Sequence, residues 1–287
     1  MISAHTRALL DRYALASKAL SRFSGERLAK EAGQSVEFYD FRPYQPGDEL
    51  RYVDWKVYAR TEKLYTRLYQ AERNIALYVV LDNSPSMRLG SKAVFAKTVA
   101  NVLSYVAQRD SLSQVFLLDG SSNRPVQGRA SISQTWAFID RAKEAQVSTG
   151  VVNSLKDFAL KTRFKAGAGL VLVISDLFDA GSFETALVAL KTRGLDASFI
   201  HIMADADLHP DEEQLELHDL ESGEKLVVGP DEVRAYKKAV SEFLGKTRTT
   251  ILRSGFRHAL LKVPTSVDLL EREALSELIK AGILIRR

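Results

Sequence analysis

Ile75-Ala76-Leu77-Tyr78-Val79-Val80-Leu81 is a continuous apolar run that stops at Asp82-Asn83-Ser84-Pro85-Ser86-Met87. Successive side chains of a strand point to opposite faces, so an unbroken apolar run marks a strand covered on both sides. Outward from it, strands and helices alternate. Residues 91–108 read as a helix, with Val94, Phe95, Thr98, Val102 and Val106 along one side. Residues 113–118 read as a strand, 132–145 and 151–164 as helices, and Leu170 to Ile174 as a second buried strand. A helix over 183–191 and a third buried strand over 196–203 follow. This alternation predicts an α/β fold: a Rossmann-like, doubly wound, mostly parallel sheet.

The flanks read differently. Leu9, Leu10, Tyr13, Leu15, Ala16, Ala19, Leu20 and Phe23 recur at helical spacing over residues 6–31. Residues 33–54 are turn-rich and aromatic, punctuated by Pro43, Pro46 and Gly47, and 64–69 alternate as a strand does. After Ala204 come an acidic loop, 205–213, a hairpin, 215–218 with 225–228, and a helix over 230–244 opened by Pro230 and Asp231. A last strand is read over 258–263 and a last helix over 267–281. The expected organisation is an N-terminal segment, 1–71, packing on a core domain, 72–204, with a C-terminal α+β extension, 205–287.

Composition bounds the function. The 287 residues are 46% hydrophobic and 26% charged, as in ordinary soluble domains. With no cysteine, disulfides and thiolate metal sites are excluded, and a cytoplasmic location is the expectation. No apolar run reaches the roughly 18 residues of a membrane-spanning helix, and residues 1–28 lack the apolar stretch of a secretory signal. The formal net charge is +4, but Lys and Arg are spread along the chain, which argues against a nucleic-acid surface.

Chemistry concentrates where the first buried strand ends. Ligands of open parallel sheets sit outside the carboxyl ends of the strands. There Asp82, Ser84 and Ser86 supply oxygens at i, i+2 and i+4 on a loop tightened by Pro85. A hard cation such as Mg²⁺ takes about six oxygen ligands, several of them often water. One carboxylate and two hydroxyls suit one face of that shell. The same logic recruits Asp176, directly after the second buried strand, and Thr149, just before a helix; Ser175 and Asp179 are weaker candidates.

Asp-x-Ser-x-Ser after strand one, a Thr from a mid-domain loop and an Asp after a later strand resemble the metal-ion-dependent adhesion site of von Willebrand factor A domains. Thr149-Gly150-Val151-Val152-Asn153-Ser154-Leu155 extends that similarity. The resemblance implies direct coordination by Ser84 and Ser86, coordination by Thr149 directly or through water, and largely water-mediated roles for Asp82 and Asp176. It implies Mg²⁺, or Mn²⁺ or Ca²⁺, with one position left for a partner's Asp or Glu. Upstream, Glu37-Phe38, Asp40-Phe41-Arg42, Tyr44-Gln45-Pro46-Gly47-Asp48, Arg51-Tyr52-Val53-Asp54-Trp55 and Ala59-Arg60 are similar to the block preceding the A-like domain in the bacterial domain-of-unknown-function family fifty-eight. Leu220-Glu221-Ser222-Gly223-Glu224 resembles that family's hairpin. Its members are commonly encoded beside MoxR-type AAA+ ATPases, which implies a partner of that type. The chain departs from the family's acidic Asp-Pro-x-Glu phrase at Ala204-Asp205-Ala206-Asp207-Leu208-His209-Pro210.

Enzyme readings have less support. An aspartyl-phosphate mechanism wants an acid two residues after Asp82, where Ser84 stands. There is no Gly-x-Ser-x-Gly elbow and no phosphate-binding Gly-x-x-x-x-Gly-Lys loop. A metal-dependent phosphoesterase and a basic-surface nucleic-acid binder remain the alternatives to a non-enzymatic binding module. His5, His201, His209, His218 and His258 form no ligand pair and read as structural or surface residues. Arg42, Asp48, Arg51, Asp54 and Trp55 read as an internal salt-bridge and aromatic lock holding the N-terminal segment to the domain.

Overall fold

The computed structural model describes residues 2–16, 36–71, 76–109, 111–145, 150–162, 164, 169–179, 181–210, 215–218, 225–266 and 269–287. The chain divides into two compact units, one of residues 20–74 and one of residues 1–19 with 75–287.

In chain order the larger unit begins with α1 (Ala4–Leu10) and β1 (Tyr13–Leu15). The helix expected over 6–31 therefore stops early, and its later part, 17–31, lies outside the described residues. Tyr13–Leu15 is extended because it pairs antiparallel with the chain's last strand, a tertiary contact that outweighs local helical spacing.

The smaller unit holds β2 (Val36–Pro43), α2 (Trp55–Thr61) and β3 (Tyr65–Ala71), with β2 and β3 paired antiparallel. Asp54 starts α2: its Oδ1 accepts the Lys56 and Val57 amides at 2.9 and 3.1 Å, and its Oδ2 accepts Arg67 Nε at 2.9 Å. Arg42 pairs with Asp48 at 2.5 Å. Arg42 with Asp48, and Arg67 with Asp54, are ion pairs within this unit, and Trp55 stands 56% exposed, edge-on to Tyr58.

The larger unit continues with β4 (Ala76–Leu81), α3 (Lys92–Ala107), β5 (Leu112–Leu117), β6 (Val126–Gln127), α4 (Ile132–Arg141), α5 (Val151–Lys161), β7 (Gly169–Ser175), α6 (Phe183–Thr192), β8 (Asp196–Met203) and the one-turn α7 (Asp205–Leu208). Then come β9 (Leu215–His218), β10 (Lys225–Val228), α8 (Pro230–Arg253), β11 (Arg257–Lys262), α9 (Leu270–Lys280) and β12 (Leu284–Arg286).

The main sheet runs β11-β8-β7-β4-β5-β6, parallel except for the short edge strand β6. Leu77, Val79 and Leu81 face a core shared with α3, α4 and α9, whereas Tyr78 and Val80 face one shared with α5 and α6. Both faces are therefore covered by helices, as the unbroken apolar runs demand. The order turns around at β4: the chain leaves it toward β5 on one side and later returns through β7 on the other. A crevice at the carboxyl ends of β4 and β7 follows from that reversal.

The C-terminal part of the larger unit also differs from the sequence expectation. The sheet continues past 204, since β11 pairs with β8 from Arg257↔Ser198 to Lys262↔Met203. Helix α8 runs nine residues beyond Leu244, because Gly245 is only mildly unfavourable inside a helix while Val240, Thr247 and Ile251 carry its buried stripe onward. It stops at Gly255, whose φ of +85° suits the residue just past a helix end. Among the described residues no helix is long and apolar enough to cross a membrane.

Candidate functional site

The β4–β7 ladder extends one step past β4, with the Asp82 amide bonded to the Ile174 carbonyl at 2.9 Å. That register sets Asp82 beside Ser175 and Asp176. Asp82 Oδ2 accepts the Ser175 hydroxyl at 2.5 Å, and its Oδ1 accepts the Ser84 amide at 2.8 Å, closing a tight turn. Pro85 then opens a 3₁₀ segment that kinks at Leu89 and Gly90 before the chain enters α3. The turn brings Ser84 Oγ and Ser86 Oγ to 3.0 Å of each other.

Asp82 is 3% and Asp176 1% exposed. Burial, and next the charge of Asp176, push the Asp82 carboxyl up from 3.8 to about 6, against the lowering effect of the bonds from Ser175 and Ser84. Asp176 Oδ1 accepts the Phe178 amide at 3.2 Å, and Ser175 Oγ accepts the Leu177 amide at 2.8 Å, with Leu177 in the left-handed region at φ +56°.

The structure brings Asp82, Ser84, Ser86 and Asp176 to one end of the sheet, while Thr149 lies outside the described residues. Its neighbour Gly150 is described, at φ +79°, with Asp179 Oδ2 where a Cβ would stand. Asp179 accepts the Val152 amide at 2.9 Å and the Gly181 amide at 2.6 Å, so it ties the start of α5 to the loop after β7. Ser175 and Asp179, the weaker ligand candidates, are thus engaged in holding that loop.

Two residues escaped sequence reasoning. Asn83 joins three loops: its Nδ2 donates to Asp119 at 3.0 Å and to the Lys143 carbonyl at 2.9 Å, and its Oδ1 accepts the Leu118 amide at 3.1 Å. Its place between Asp82 and Ser84 was the only available signal. Lys92, first residue of α3, is 1% exposed and bonds Asp176 Oδ2 at 2.8 Å. It also lies 3.1 Å from Asp207 Oδ2. A lysine in a mixed sequence gives no sign of burial. Asp207 comes from the phrase in which the chain departs from the resembled family.

A cleft of about 210 Å³ opens beside Asp82 and Ser84, with Leu81, Met87, Lys97, Lys143 and the Arg88–Glu144 ion pair in its lining. Among the described residues no group of three or more His, Asp or Glu side chains is arranged to hold a metal.

A family model described as "Protein of unknown function DUF58" matches residues 40–250. The chain belongs to this family. The matched stretch includes Asp82, Ser84, Ser86, Lys92, Asp176 and Asp207. The uncharacterized proteins Mb1516 of Mycobacterium bovis and Rv1480 of Mycobacterium tuberculosis are each 28% identical over 215 residues, covering 69% of this chain and 65% of theirs. The chain therefore spans about 65% of the length of these curated relatives. Two solved structures overlap it weakly. Proximal thread matrix protein 1 of the mussel byssus, with a zinc-occupied MIDAS motif, shows 13% identity and a TM-score of 0.33 over 45% of this chain and 36% of that one. The pilus adhesin SpaC of Lactobacillus rhamnosus GG shows 10% identity and a TM-score of 0.39 over 75% of this chain and 32% of that one.

Proposed function

We propose that this member of the family is a von Willebrand factor A-like binding module that grips a carboxylate of a protein partner through a divalent metal. The observation that carries the reading is the 3.0 Å separation of Ser84 Oγ and Ser86 Oγ beside Asp82. Neighbouring oxygens of an octahedral Mg²⁺ shell with bonds of about 2.1 Å stand about 3.0 Å apart. The raised carboxyl of Asp82 supports it too, because a buried pair of carboxylates is relieved by a cation. The doubly wound strand order, with its reversal at β4, is the architecture such a module needs.

Ser84 and Ser86 would hold the ion directly, Thr149 directly or through water, and Asp82 and Asp176 through water. Mg²⁺ is the favoured ion, with Mn²⁺ and Ca²⁺ as substitutes. When bound, it would supply an electrophilic position. Neutral hydroxyls leave that charge largely uncompensated, which suits holding an anionic oxygen. An ion so held suits gripping an anionic oxygen, and a grip without turnover is the reading. The favoured partner is a MoxR-type AAA+ ATPase presenting an Asp or Glu, by family resemblance.

The test is retention of a purified MoxR-type ATPase by the immobilised chain in Mg²⁺ and in EDTA, with wild type and Asp82→Ala in parallel. Retention by wild type in Mg²⁺ alone is expected. Equal retention in all four conditions would remove the metal from the interface. Hydrolysis of a generic phosphoester by the purified chain would favour the phosphoesterase reading instead.

A further inference from the structure

Lys92 is the one lysine within the core of the larger unit among the described residues, at 1% exposure. Its Nζ meets Asp176 Oδ2 at 2.8 Å and Asp207 at 3.1 Å and 3.3 Å, with the Phe178 ring centred 5.6 Å away. Asp207 is itself held, since its Oδ2 accepts the Ala204 amide at 2.9 Å. The lysine thus spans from the loop after β7 to the turn after β8, under the start of α3. An ion pair this deep is poor evidence of added stability, because desolvating the charges costs about as much as their attraction returns. Its position beside a candidate metal ligand asks for another role.

We infer that Lys92 is a positioning residue that tunes the metal site: by holding Asp176 it keeps that carboxylate from binding the ion directly, and it leaves the ion electrophilic toward a partner carboxylate. The inference rests on the metal-site reading above. One oxygen of Asp176 is bonded to the ammonium and the other to the Phe178 amide, so both oxygens are oriented, and each partly occupied, by donors other than an ion. The ammonium also opposes a divalent cation through a poorly screening interior. Asp207 moderates this by sharing the lysine's charge. Removing Lys92 and neutralising Asp207 must therefore shift metal affinity in opposite directions.

The experiment is calorimetric titration of MgCl₂ into the full chain. Lys92→Met is expected to bind Mg²⁺ at least about tenfold more tightly than wild type, and Asp207→Asn several-fold more weakly. Lys92→Met leaves two buried carboxylates without their cation, and loss of fold is the risk there. The double variant Lys92→Met/Asp207→Asn keeps the net charge of wild type and frees only the Asp176 oxygen. It is expected to bind more tightly than wild type, and it carries the test if the single variant does not fold. A purely structural lysine would weaken binding in all three variants, and that result, or wild-type affinity throughout, overturns the inference. Ser84→Ala/Ser86→Ala separates the two readings: wild-type Mg²⁺ affinity in that variant would overturn the metal site itself. Absence of Mg²⁺ binding from wild type and every variant would overturn both.

Discussion

At the scale of single residues, Asp82 shows how much environment adds to a side chain. Its carboxyl titrates near 6 in the folded chain against an ordinary 3.8. The folded state holds that proton more firmly than the unfolded state does. The resulting stability is fully present below about pH 3.8 and is lost as pH rises to about 6. Asp82→Asn cannot ionise. In EDTA its stability relative to wild type should therefore climb between about pH 4 and pH 6 and then level off, by on the order of 3 kcal/mol. Urea denaturation at several pH values measures this, and a difference independent of pH would mean that the buried carboxylate is not penalised. Asp82 and the two serines were legible from residue type and spacing alone. Lys92 was not, because burial is a property of the neighbours, Asp176 and Asp207, that reach it from 84 and 115 residues away.

At the scale of elements, the start of α5 depends on a carboxylate from another loop. Asp179 caps it through the Val152 amide at 2.9 Å and occupies the space in which Gly150 has no Cβ. Asp179→Ala should cost about 1 kcal/mol, the usual worth of a helix cap. Gly150→Ala should cost more, because it adds a left-handed strain at φ +79° to the clash. Denaturation midpoints rank the two, and the reverse order would show that the loop rearranges freely around Asp179. Apolar runs and caps marked most strands and helices of the larger unit to within a few residues. Failures came where a tertiary partner overrode the local pattern. Tyr13–Leu15 became a strand because β12 offered it an edge. Helix α8 passed Gly245 because its buried stripe continued to Ile251.

At the scale of the whole larger unit, the first and last described segments of that unit are joined. Strand β1 pairs with β12, the Ala16 amide bonds the Ile283 carbonyl at 2.9 Å, and Leu10 and Leu284 share one core. The Ser3 amide and hydroxyl both donate to the Glu271 carboxylate at 2.9 Å. Deleting residues 284–287 should therefore lower the melting temperature by several degrees, since 1 kcal/mol is worth about 2–4 °C in a domain of this size. Amide exchange at Tyr13–Leu15 should accelerate. An unchanged melt with unchanged protection there would show that the pairing contributes nothing.

By itself the sequence determined the class of fold and one loop of the candidate site. Periodicity of apolar residues, and oxygen-bearing residues two apart after a buried strand, are local properties that need no knowledge of the rest of the chain. Only the tertiary structure decided which strands are neighbours, that Asp176 lies beside Asp82, and that Lys92 is enclosed between Asp176 and Asp207. Those facts depend on strand order and helix packing, which bring distant residues within reach of a hydrogen bond. The charge balance of the site depends on that packing, since each ionisable group there is answered by a group from another element.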